Sequence, residues 1–347
     1  MGLCRTKFEC GMIDEKFGMR NAECGIGAKT SIALRHSEFR IPHSELIKTL
    51  IVIAGPTASG KTAFAIELAK ALGTVIISAD SRQFYKEMSI GTAAPTPEEL
   101  LQVKHYFIHN ISIEEKYDVA DYEREVLALL DELFKTHDNV ILTGGSGLFI
   151  DTVCNGIDEM PDVKPEIRLK VEKMLKEGGI NALADEVQRL DPEYFAIVDQ
   201  QNPRRLQRAL EICYQTGKTF TSFRQNDKAQ RDFNIVKYAL LWDRQELIGR
   251  IDRRVDLMME NGLLEEAKAL YPKRELNALN TVGYKELFSY FDGQCTLAEA
   301  VEQIKIHTRQ YAKRQMTWLR KDCGYQWITA EEMEKTVATL RPNTPPQ

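Results

Sequence analysis

Short apolar runs alternate with amphipathic stretches along much of the chain. The runs at 50–54, 74–78 and 139–143 are rich in β-branched residues and predict buried strands. The stretches at 62–72 and 119–134 carry apolar residues at helical spacing and predict helices. Strands that alternate with helices in this way indicate an α/β fold with a doubly wound parallel sheet. Ligands of such sheets bind beyond the carboxyl ends of the strands.

The pattern changes in the middle of the chain. Residues 161–200 form short, charge-rich helical stretches without a strand, which predicts a small all-helical insertion domain. Beyond it, apolar periodicity predicts a strand at 234–242 and long helices at 245–270 and 297–319. We therefore predict a leader at 1–47, a catalytic core at 48–160 and 201–330, the insertion at 161–200 and a C-terminal tail at 331–347.

The first 47 residues show neither a helical nor a strand period, and we expect this leader to be disordered. It combines acids, bases and three cysteines, which fits neither a signal peptide nor an acid-free transit peptide. The seven cysteines of the chain include no C-x-x-C pair, so neither a zinc site nor a disulfide framework is indicated. No segment has the roughly 18 consecutive apolar residues of a membrane span. These features favour a protein of the reducing cytoplasm.

The net charge of −5 excludes a global electrostatic field that would attract nucleic acid. Residues 303–321 nevertheless contain six bases, two aromatic residues and no acid. Lys305, Arg309 and Lys313 fall on one face of the predicted helix, and a second basic cluster lies at 204–208. In an acidic protein such clusters suggest contacts with a nucleic-acid backbone. The alternative for each cluster is a solvated helix face.

The clearest chemical signal is the phosphate-loop pattern G-x-x-x-x-G-K-[ST]. It lies between the first predicted strand and the first predicted helix, so backbone N–H groups can wrap a phosphate and the helix N-terminus adds its positive end. Lys61 would neutralise phosphate charge, and the Thr62 hydroxyl could hold Mg²⁺. The alternative is a glycine-rich turn before a helix. The predicted diphosphate- or nucleotide-binding residues are Gly55, Pro56, Thr57, Ala58, Ser59, Gly60, Lys61 and Thr62.

Two further positions offer chemistry close to this loop. Asp80 follows the second predicted strand, where it could hold Mg²⁺ or act as a general base; the alternative is a turn or cap residue. Arg250 and Arg254 share one face of a predicted helix, either as a salt-bridged solvated face or as groups that reach phosphate oxygens. The strand at 139–143 does not end in the Asp that holds Mg²⁺ in many P-loop ATPases, which weakens an ATP-hydrolysis function.

Several motifs beyond the phosphate loop point to one family. They are Asp80-Ser81-Arg82-Gln83-Phe84-Tyr85, Ile90-Gly91-Thr92-Ala93, Gly144-Gly145-Ser146-Gly147-Leu148, Asn202-Pro203-Arg204-Arg205-Leu206, Val282-Gly283-Tyr284-Lys285-Glu286 and Lys313-Arg314-Gln315-Met316-Thr317-Trp318-Leu319-Arg320. Together with the phosphate loop, their order and spacing over 48–330 resemble the tRNA dimethylallyltransferases, also called tRNA isopentenyltransferases. The zinc finger of the eukaryotic relatives is absent, which makes the bacterial type the better match.

This resemblance implies transfer of a dimethylallyl group from dimethylallyl diphosphate to N6 of adenosine 37 in tRNAs that read codons beginning with U. The phosphate loop would hold the prenyl diphosphate rather than ATP, with Mg²⁺ as the cofactor and Thr62 as its ligand. Thr57, Asp80 and Arg250 are catalytic residues by resemblance, with Asp80 as the general base that takes the N6 proton. The expected partner is the tRNA anticodon stem-loop, and a cytoplasmic monomer without membrane contact is expected.

The resemblance also implies a set of tRNA-contacting residues spread over both predicted domains. They are Asp80, Ser81, Arg82, Gln83, Ser146, Arg168, Arg204, Arg205, Leu206, Gln207, Arg208, Lys313, Arg314, Gln315, Trp318 and Arg320. Ser146 stands where the family often has Thr near the flipped target base.

The sequence departs from the family pattern in two places, and two other functions compete. Ala94 replaces the usual Lys, so a phosphate role at that position is lost, and the leader has no family counterpart. The main alternative is a P-loop kinase for a nucleoside or small metabolite, which shares the loop and Asp80 but does not explain the basic residues at 303–321. A third possibility is an RNA-binding P-loop protein without chemistry, which would bind tRNA even when Asp80 is lost.

Overall fold

The computed structural model describes residues 48–224 and 229–340, so the predicted leader at 1–47 lies outside the described residues. Within these ranges six parallel strands form one sheet in the order β3-β2-β4-β1-β5-β6. The strands are β1 (Thr49–Ala54), β2 (Ile76–Ser78), β3 (His105–Tyr106), β4 (Asn139–Gly144), β5 (Asn234–Leu240) and β6 (Tyr325–Ile328). The parallel sheet with its crossover helices confirms the predicted α/β fold.

The described residues also form twelve α-helices. They are α1 (Lys61–Leu72), α2 (Pro97–Gln102), α3 (Val119–Leu133), α4 (Gly147–Asn155), α5 (Pro165–Leu190), α6 (Pro192–Phe195), α7 (Pro203–Thr216), α8 (Arg244–Glu260), α9 (Leu263–Leu270), α10 (Tyr284–Phe291), α11 (Leu297–Leu319) and α12 (Ala330–Leu340). The single helix predicted at 245–270 is two helices, because Gly262 adopts φ +97° between α8 and α9.

Alternate residues of the central strands enter two different apolar cores, because successive side chains of a strand point to opposite faces. Leu50 and Val52 pack in a core that includes residues of α3, α4, α10 and α11. Ile51 and Ile53 pack in a second core with residues of α1 and α12. Since all four side chains are fully buried, helices cover both faces of the sheet, as parallel sheets require. The continuous apolar runs in the sequence are the result.

A third apolar core belongs to the helical region between β4 and β5. It joins residues of α5 with residues of α7, and its members run from Val163 to Phe220. The helical unit in the structure therefore spans more residues than the insertion predicted at 161–200, because α7 buries its apolar face against α5. Within α5, Gly179 has a non-helical backbone (φ +66°) and divides the element in two, in agreement with the short helices expected there.

The end of the chain differs from the tail predicted at 331–347. Residues 330–340 form α12, and Val337 packs in the same core as α1. The strand β6 that precedes it pairs with β5 and was not predicted, because four residues are too few to show a period. Within residues 48–224 and 229–340, no helix combines the length and the apolarity that crossing a bilayer requires.

Candidate active site

A cavity of about 1070 Å³ opens at the carboxyl edge of the sheet. The phosphate loop follows β1, Asp80 comes just after β2, and Gly145 follows β4, so the three neighbouring strands deliver their chemistry to one place. Residues of α8 and α11 close the opposite side, among them Arg250 and Gln315. The structure thus brings together the phosphate loop, Asp80 and Arg250, which the sequence placed far apart.

The phosphate loop is held in an unusual backbone shape. Ala58 and Gly60 both have positive φ, +62° and +85°, a conformation that curls successive N–H groups into an anion-binding concavity. The carbonyl oxygens of this loop are bound from outside: Trp242 Nε1 donates to Ser59 (2.9 Å) and Arg250 Nε donates to Ala58 (2.8 Å). The guanidinium of Arg250 also stacks on the Trp242 ring at 4.1 Å. Trp242 was not identified from the sequence.

Positive charge accumulates beside this loop. Lys61 Nζ donates a 2.8 Å hydrogen bond to the Pro56 carbonyl. Burial, with added repulsion from Arg254, lowers the pKa of Lys61 to about 7, although Asp80 offsets part of this effect. Burial also lowers the pKa of Arg254. A bound anion would favour the charged forms of both side chains and raise their pKa values again.

The Ser59 hydroxyl is a buried polar group of the same loop. Its Oγ atom is fully buried and, among the described residues, has no hydrogen-bond partner. A Cβ atom added to Gly55 would lie 2.9 Å from this oxygen, so the hydroxyl faces a residue that does not line the cavity. The positive φ of Gly60 and the charge of Lys61 are what fit the loop to a diphosphate.

Asp80 follows the point where the ends of β2 and β4 are in close contact. A Cβ atom on Gly144 would come within 2.2 Å of the Ala79 carbonyl oxygen, so β2 and β4 leave the sheet in close contact only because residue 144 is glycine. One Asp80 oxygen accepts a 3.0 Å hydrogen bond from the Arg82 backbone N–H. The other lies over Gly145, where an added Cβ would be 3.5 Å away. The carboxylate therefore faces the cavity from a fixed backbone position.

Gln315 joins two parts of the site instead of facing outward. Its Oε1 accepts a 2.8 Å hydrogen bond from the Thr57 backbone N–H, and its Nε2 donates one of 2.8 Å to the Gly145 carbonyl. The side chain is only 8% exposed. Gln315 is therefore a structural bridge in this structure, and because it also lines the cavity, its contact with tRNA stays a prediction. Tyr311, which also reaches the Gly145 carbonyl (3.5 Å), has a pKa raised to about 12 by burial and by the nearby Asp80 charge.

Arg82 and Gln83, both predicted as tRNA contacts, hold neighbouring loops in this structure. Arg82 Nη1 donates to the Asn277 and Ala278 carbonyls at 3.2 and 3.1 Å. Gln83 Nε2 donates to the Ala93 carbonyl at 3.1 Å. Both side chains line the cavity, so contact with a nucleic acid there remains a prediction.

The other predicted tRNA contacts divide into a hydroxyl pair and a basic surface. Ser146 Oγ accepts from the Ser81 backbone N–H (3.0 Å) and donates to Ser81 Oγ (3.1 Å). Trp318 packs against Gly147, where an added Cβ would come within 2.4 Å of its ring. The remaining polar members lie on the surface, exposed or half-buried: Arg168, Arg204, Arg205, Gln207, Arg208, Lys313, Arg314 and Arg320.

Two sequence interpretations are corrected here. Leu206 is 0% exposed in the core of the helical unit, so it supports α7 and does not contact a ligand. The basic face suggested for α11 is largely engaged within the protein: Lys305 bonds Asp256 (2.6 Å), and Arg309 forms a two-pronged pair with Asp252 (2.8 and 2.7 Å). These pairs join α11 to α8.

The side chains that line the cavity offer magnesium only part of a coordination shell. Among the residues that the structure describes, no group of three or more His, Cys, Asp or Glu side chains could hold a metal ion. Thr62 and Asp80 both line the cavity and offer oxygen ligands. Mg²⁺ commonly takes one or two protein oxygens and completes its shell with substrate phosphates and water. The donor set therefore suits an ion that is shared with the diphosphate.

Comparison with known proteins identifies the family. Residues 83–322 match the family model described as IPP transferase. A tRNA dimethylallyltransferase of Phocaeicola vulgatus is 50% identical over 284 residues, which cover 82% of this chain and 95% of the relative. The chain belongs to the tRNA dimethylallyltransferase family. A family member from Christiangramia forsetii is 51% identical over 288 residues, 83% of this chain and 95% of its own length.

Solved structures of the family share this fold. The tRNA isopentenylpyrophosphate transferase of Bacillus halodurans is 34% identical with a TM-score of 0.62, over 84% of this chain and 95% of that one. A eukaryotic dimethylallyltransferase, captured in crystallographic snapshots acting on tRNA, has a TM-score of 0.69 at 26% identity, over 84% of this chain and 77% of its own. These matches favour a transferase over the alternative of a P-loop kinase.

Proposed function

We propose that this chain transfers the dimethylallyl group of dimethylallyl diphosphate to N6 of adenosine 37 in tRNAs that read codons beginning with U. The observation that carries this proposal is the meeting of the phosphate loop and Asp80 in one cavity. The cationic part of this cavity suits a diphosphate, and the carboxylate beside it suits proton acceptance from an amine. Membership of the family supplies the substrate class.

The proposed reaction breaks the allylic C–O bond of the donor and forms a bond between that carbon and N6. The diphosphate leaves with the bonding electron pair, and Lys61 and Arg250 stabilise its charge. N6 loses one proton, which an Asp80 oxygen accepts as the new bond forms. The Thr57 N–H, fixed by Gln315, lies in the loop that would orient the diphosphate. Mg²⁺ held by Thr62 and the diphosphate would add further neutralisation of the leaving group.

The proposed macromolecular partner is the anticodon stem-loop of tRNA. Lys313 and Arg314 are exposed on the C-terminal half of α11, and Arg204 and Arg205 are exposed at the start of α7. Burial lowers the pKa of Arg82, and the charge of Arg204 on the helical unit adds to this effect. Such a surface suits a phosphate backbone. The target base would leave its stack to reach Asp80. A cytoplasmic monomer is proposed.

Mass spectrometry of tRNA nucleosides tests the function directly. The purified protein is incubated with Mg²⁺, dimethylallyl diphosphate and unmodified tRNA, and the digest is searched for dimethylallyladenosine. The expected product appears with a tRNA that carries adenosine at position 37 and is absent when guanosine replaces that base. A reaction with labelled ATP in place of the prenyl donor tests the kinase alternative. Phosphate transfer without prenyl transfer would overturn the proposal.

A further inference from the structure

Residues 89–93 form a loop, here called the cavity loop, that lines the site from Gly91 onward. Its start is bound by a carboxylate outside the cavity. Glu266, on α9, accepts hydrogen bonds from the backbone N–H groups of Ser89 (3.0 Å), Ile90 (2.8 Å) and Gly91 (2.9 Å). Three consecutive N–H groups directed at one carboxylate form charge-assisted bonds, which are stronger than neutral ones.

A buried tyrosine completes this attachment from the other side. The Tyr284 hydroxyl donates a 2.7 Å hydrogen bond to Glu266 Oε1, and the Tyr284 side chain is fully buried. The ring lies directly against the cavity loop: a Cβ atom on Gly91 would come within 2.6 Å of it. Glu266 and Tyr284 therefore fix the position of the cavity loop. Glycine at position 91 allows the loop to lie this close to the Tyr284 ring.

The far end of the cavity loop contacts two side chains of the site. The Ala93 carbonyl accepts hydrogen bonds from Gln83 Nε2 (3.1 Å) and Arg254 Nη2 (3.5 Å). Gln83 also lies within 3.4 Å of the Thr92 carbonyl. Arg254 is one of the cations beside Lys61, and its charge helps to lower the pKa of Lys61. A displacement of the cavity loop would thus move Gln83, which is near Asp80, and Arg254, which is near the proposed diphosphate site.

We propose that Glu266 is a positioning residue for the transfer reaction, a role that rests on the proposed function. It fixes the cavity loop, and the loop carbonyls in turn orient Gln83 and Arg254. Glu266 does not line the cavity, so it acts without touching either substrate. Small errors in the position of reacting groups are costly, which makes the reaction rate the sensitive quantity.

Glu266→Gln provides the first test, because the amide keeps the size of the side chain but turns one acceptor oxygen into a donor that faces N–H groups. We expect kcat to fall about 10- to 100-fold, while the affinity for tRNA changes less than about twofold. Hydrogen exchange of the Ser89, Ile90 and Gly91 amides should accelerate. Assays are run well below the Tm of each variant, so that lost stability alone does not lower turnover per molecule. Glu265→Gln, an exposed neighbour on α9, is the matched control.

Gly91→Ala tests the same loop without changing the carboxylate. Its Cβ would meet the Tyr284 ring and push the cavity loop away from α10, so it should reproduce the kcat defect of Glu266→Gln. The double variant should then lose little more than either single variant, because both act through one element.

The outcomes separate this inference from the proposed function. If the unmodified protein makes no dimethylallyladenosine, the function itself fails. If it does and Glu266→Gln keeps the kcat of the unmodified protein, the positioning role is wrong, whatever the exchange rates. A loss of tRNA binding in parallel with turnover would assign Glu266 a general structural role and would also overturn the inference.

Discussion

Thr57 and Gln315 are 258 positions apart in the sequence, yet the Thr57 N–H donates a 2.8 Å hydrogen bond to Gln315 Oε1. The same side chain amide donates to the Gly145 carbonyl at 2.8 Å. One glutamine of α11 therefore sets the separation between the phosphate loop and the loop that follows β4. Asp80 lies beside the latter loop, so this bridge also sets the distance between the phosphate loop and the Asp80 carboxylate.

Gln315→Ala should impair both binding of the donor and turnover. The substitution leaves the Thr57 N–H without its partner and the Gly145 carbonyl with only the long contact from Tyr311, and an unsatisfied buried polar group costs about 1–3 kcal/mol of stability. We expect kcat/KM for dimethylallyl diphosphate to fall about 10- to 100-fold because the loop loses its fixed position. Steady-state kinetics and thermal unfolding measure the two effects. Gln310→Ala, exposed on the same helix, should change neither; an unaffected Gln315→Ala enzyme would contradict the role of the bridge.

Asp80→Asn should remove the general base with little change in shape. The asparagine oxygen can still accept from the Arg82 N–H, as Asp80 does at 3.0 Å, so the backbone should keep its course. We expect turnover to fall about 10²–10⁴-fold, the usual contribution of a general base, with tRNA affinity unchanged. Single-turnover prenylation and filter binding of tRNA measure these quantities. Turnover within a few-fold of the unmodified protein would exclude Asp80 as the base.

Lys61 should make diphosphate binding depend on pH. Its pKa is lowered to about 7 by burial and by Arg254, whereas a bound anion favours the protonated form and raises that pKa. Above pH 7 the ligand-free protein has lost this proton, so binding must take one up, and affinity falls as pH rises. The donor phosphates are already ionised in this range, since their second pKa is about 6.

Titration calorimetry with dimethylallyl diphosphate at pH 8, without tRNA and in buffers of different ionisation enthalpy, measures the proton uptake. We expect uptake approaching one proton per site and an affinity that falls by up to about tenfold per pH unit from pH 7 to 9. Lys61→Met should bind more weakly and without proton uptake. If the unmodified protein takes up no proton, Lys61 is already charged before the ligand arrives.

The salt dependence of tRNA binding should distinguish the exposed basic side chains of α11 from those that are paired with α8. Lys313 and Arg314 are exposed, and replacing both with Ala should reduce the slope of log affinity against log salt by up to about two units. Arg309→Ala should leave that slope nearly unchanged, because Arg309 is paired with Asp252. It should instead lower stability by about 1 kcal/mol. A large change in slope for Arg309→Ala would show that this pair opens to bind phosphate.

The parts of the site that follow strands could be predicted from the sequence. The phosphate loop is contiguous and carries its own conformational requirement at Gly60. Asp80 and Gly144 come at the ends of apolar runs, and parallel strands bring their carboxyl ends to one edge. The predicted fold was confirmed for the same reason: buried strands in a parallel sheet are continuous apolar runs, which a sequence shows plainly.

Contacts between distant helices could not be predicted in this way. Helical spacing places Lys305 and Arg309 on one face but does not show that α8 covers that face with Asp256 and Asp252. The residues next to Gln315 in the sequence give no sign that its side chain contacts the phosphate loop. Such pairings depend on how helices pack, and this information is spread over the whole chain rather than held in a motif.

The helical unit buries its apolar side chains, Val171 and Leu206 among them, in a core that contains no residue of the described strands. Substitutions in this core can reshape the surface that presents Arg204 and Arg205 without moving the strand ends that carry the reacting groups. Related proteins with this fold can therefore change the RNAs they prefer without changing the residues at the carboxyl edge of the sheet.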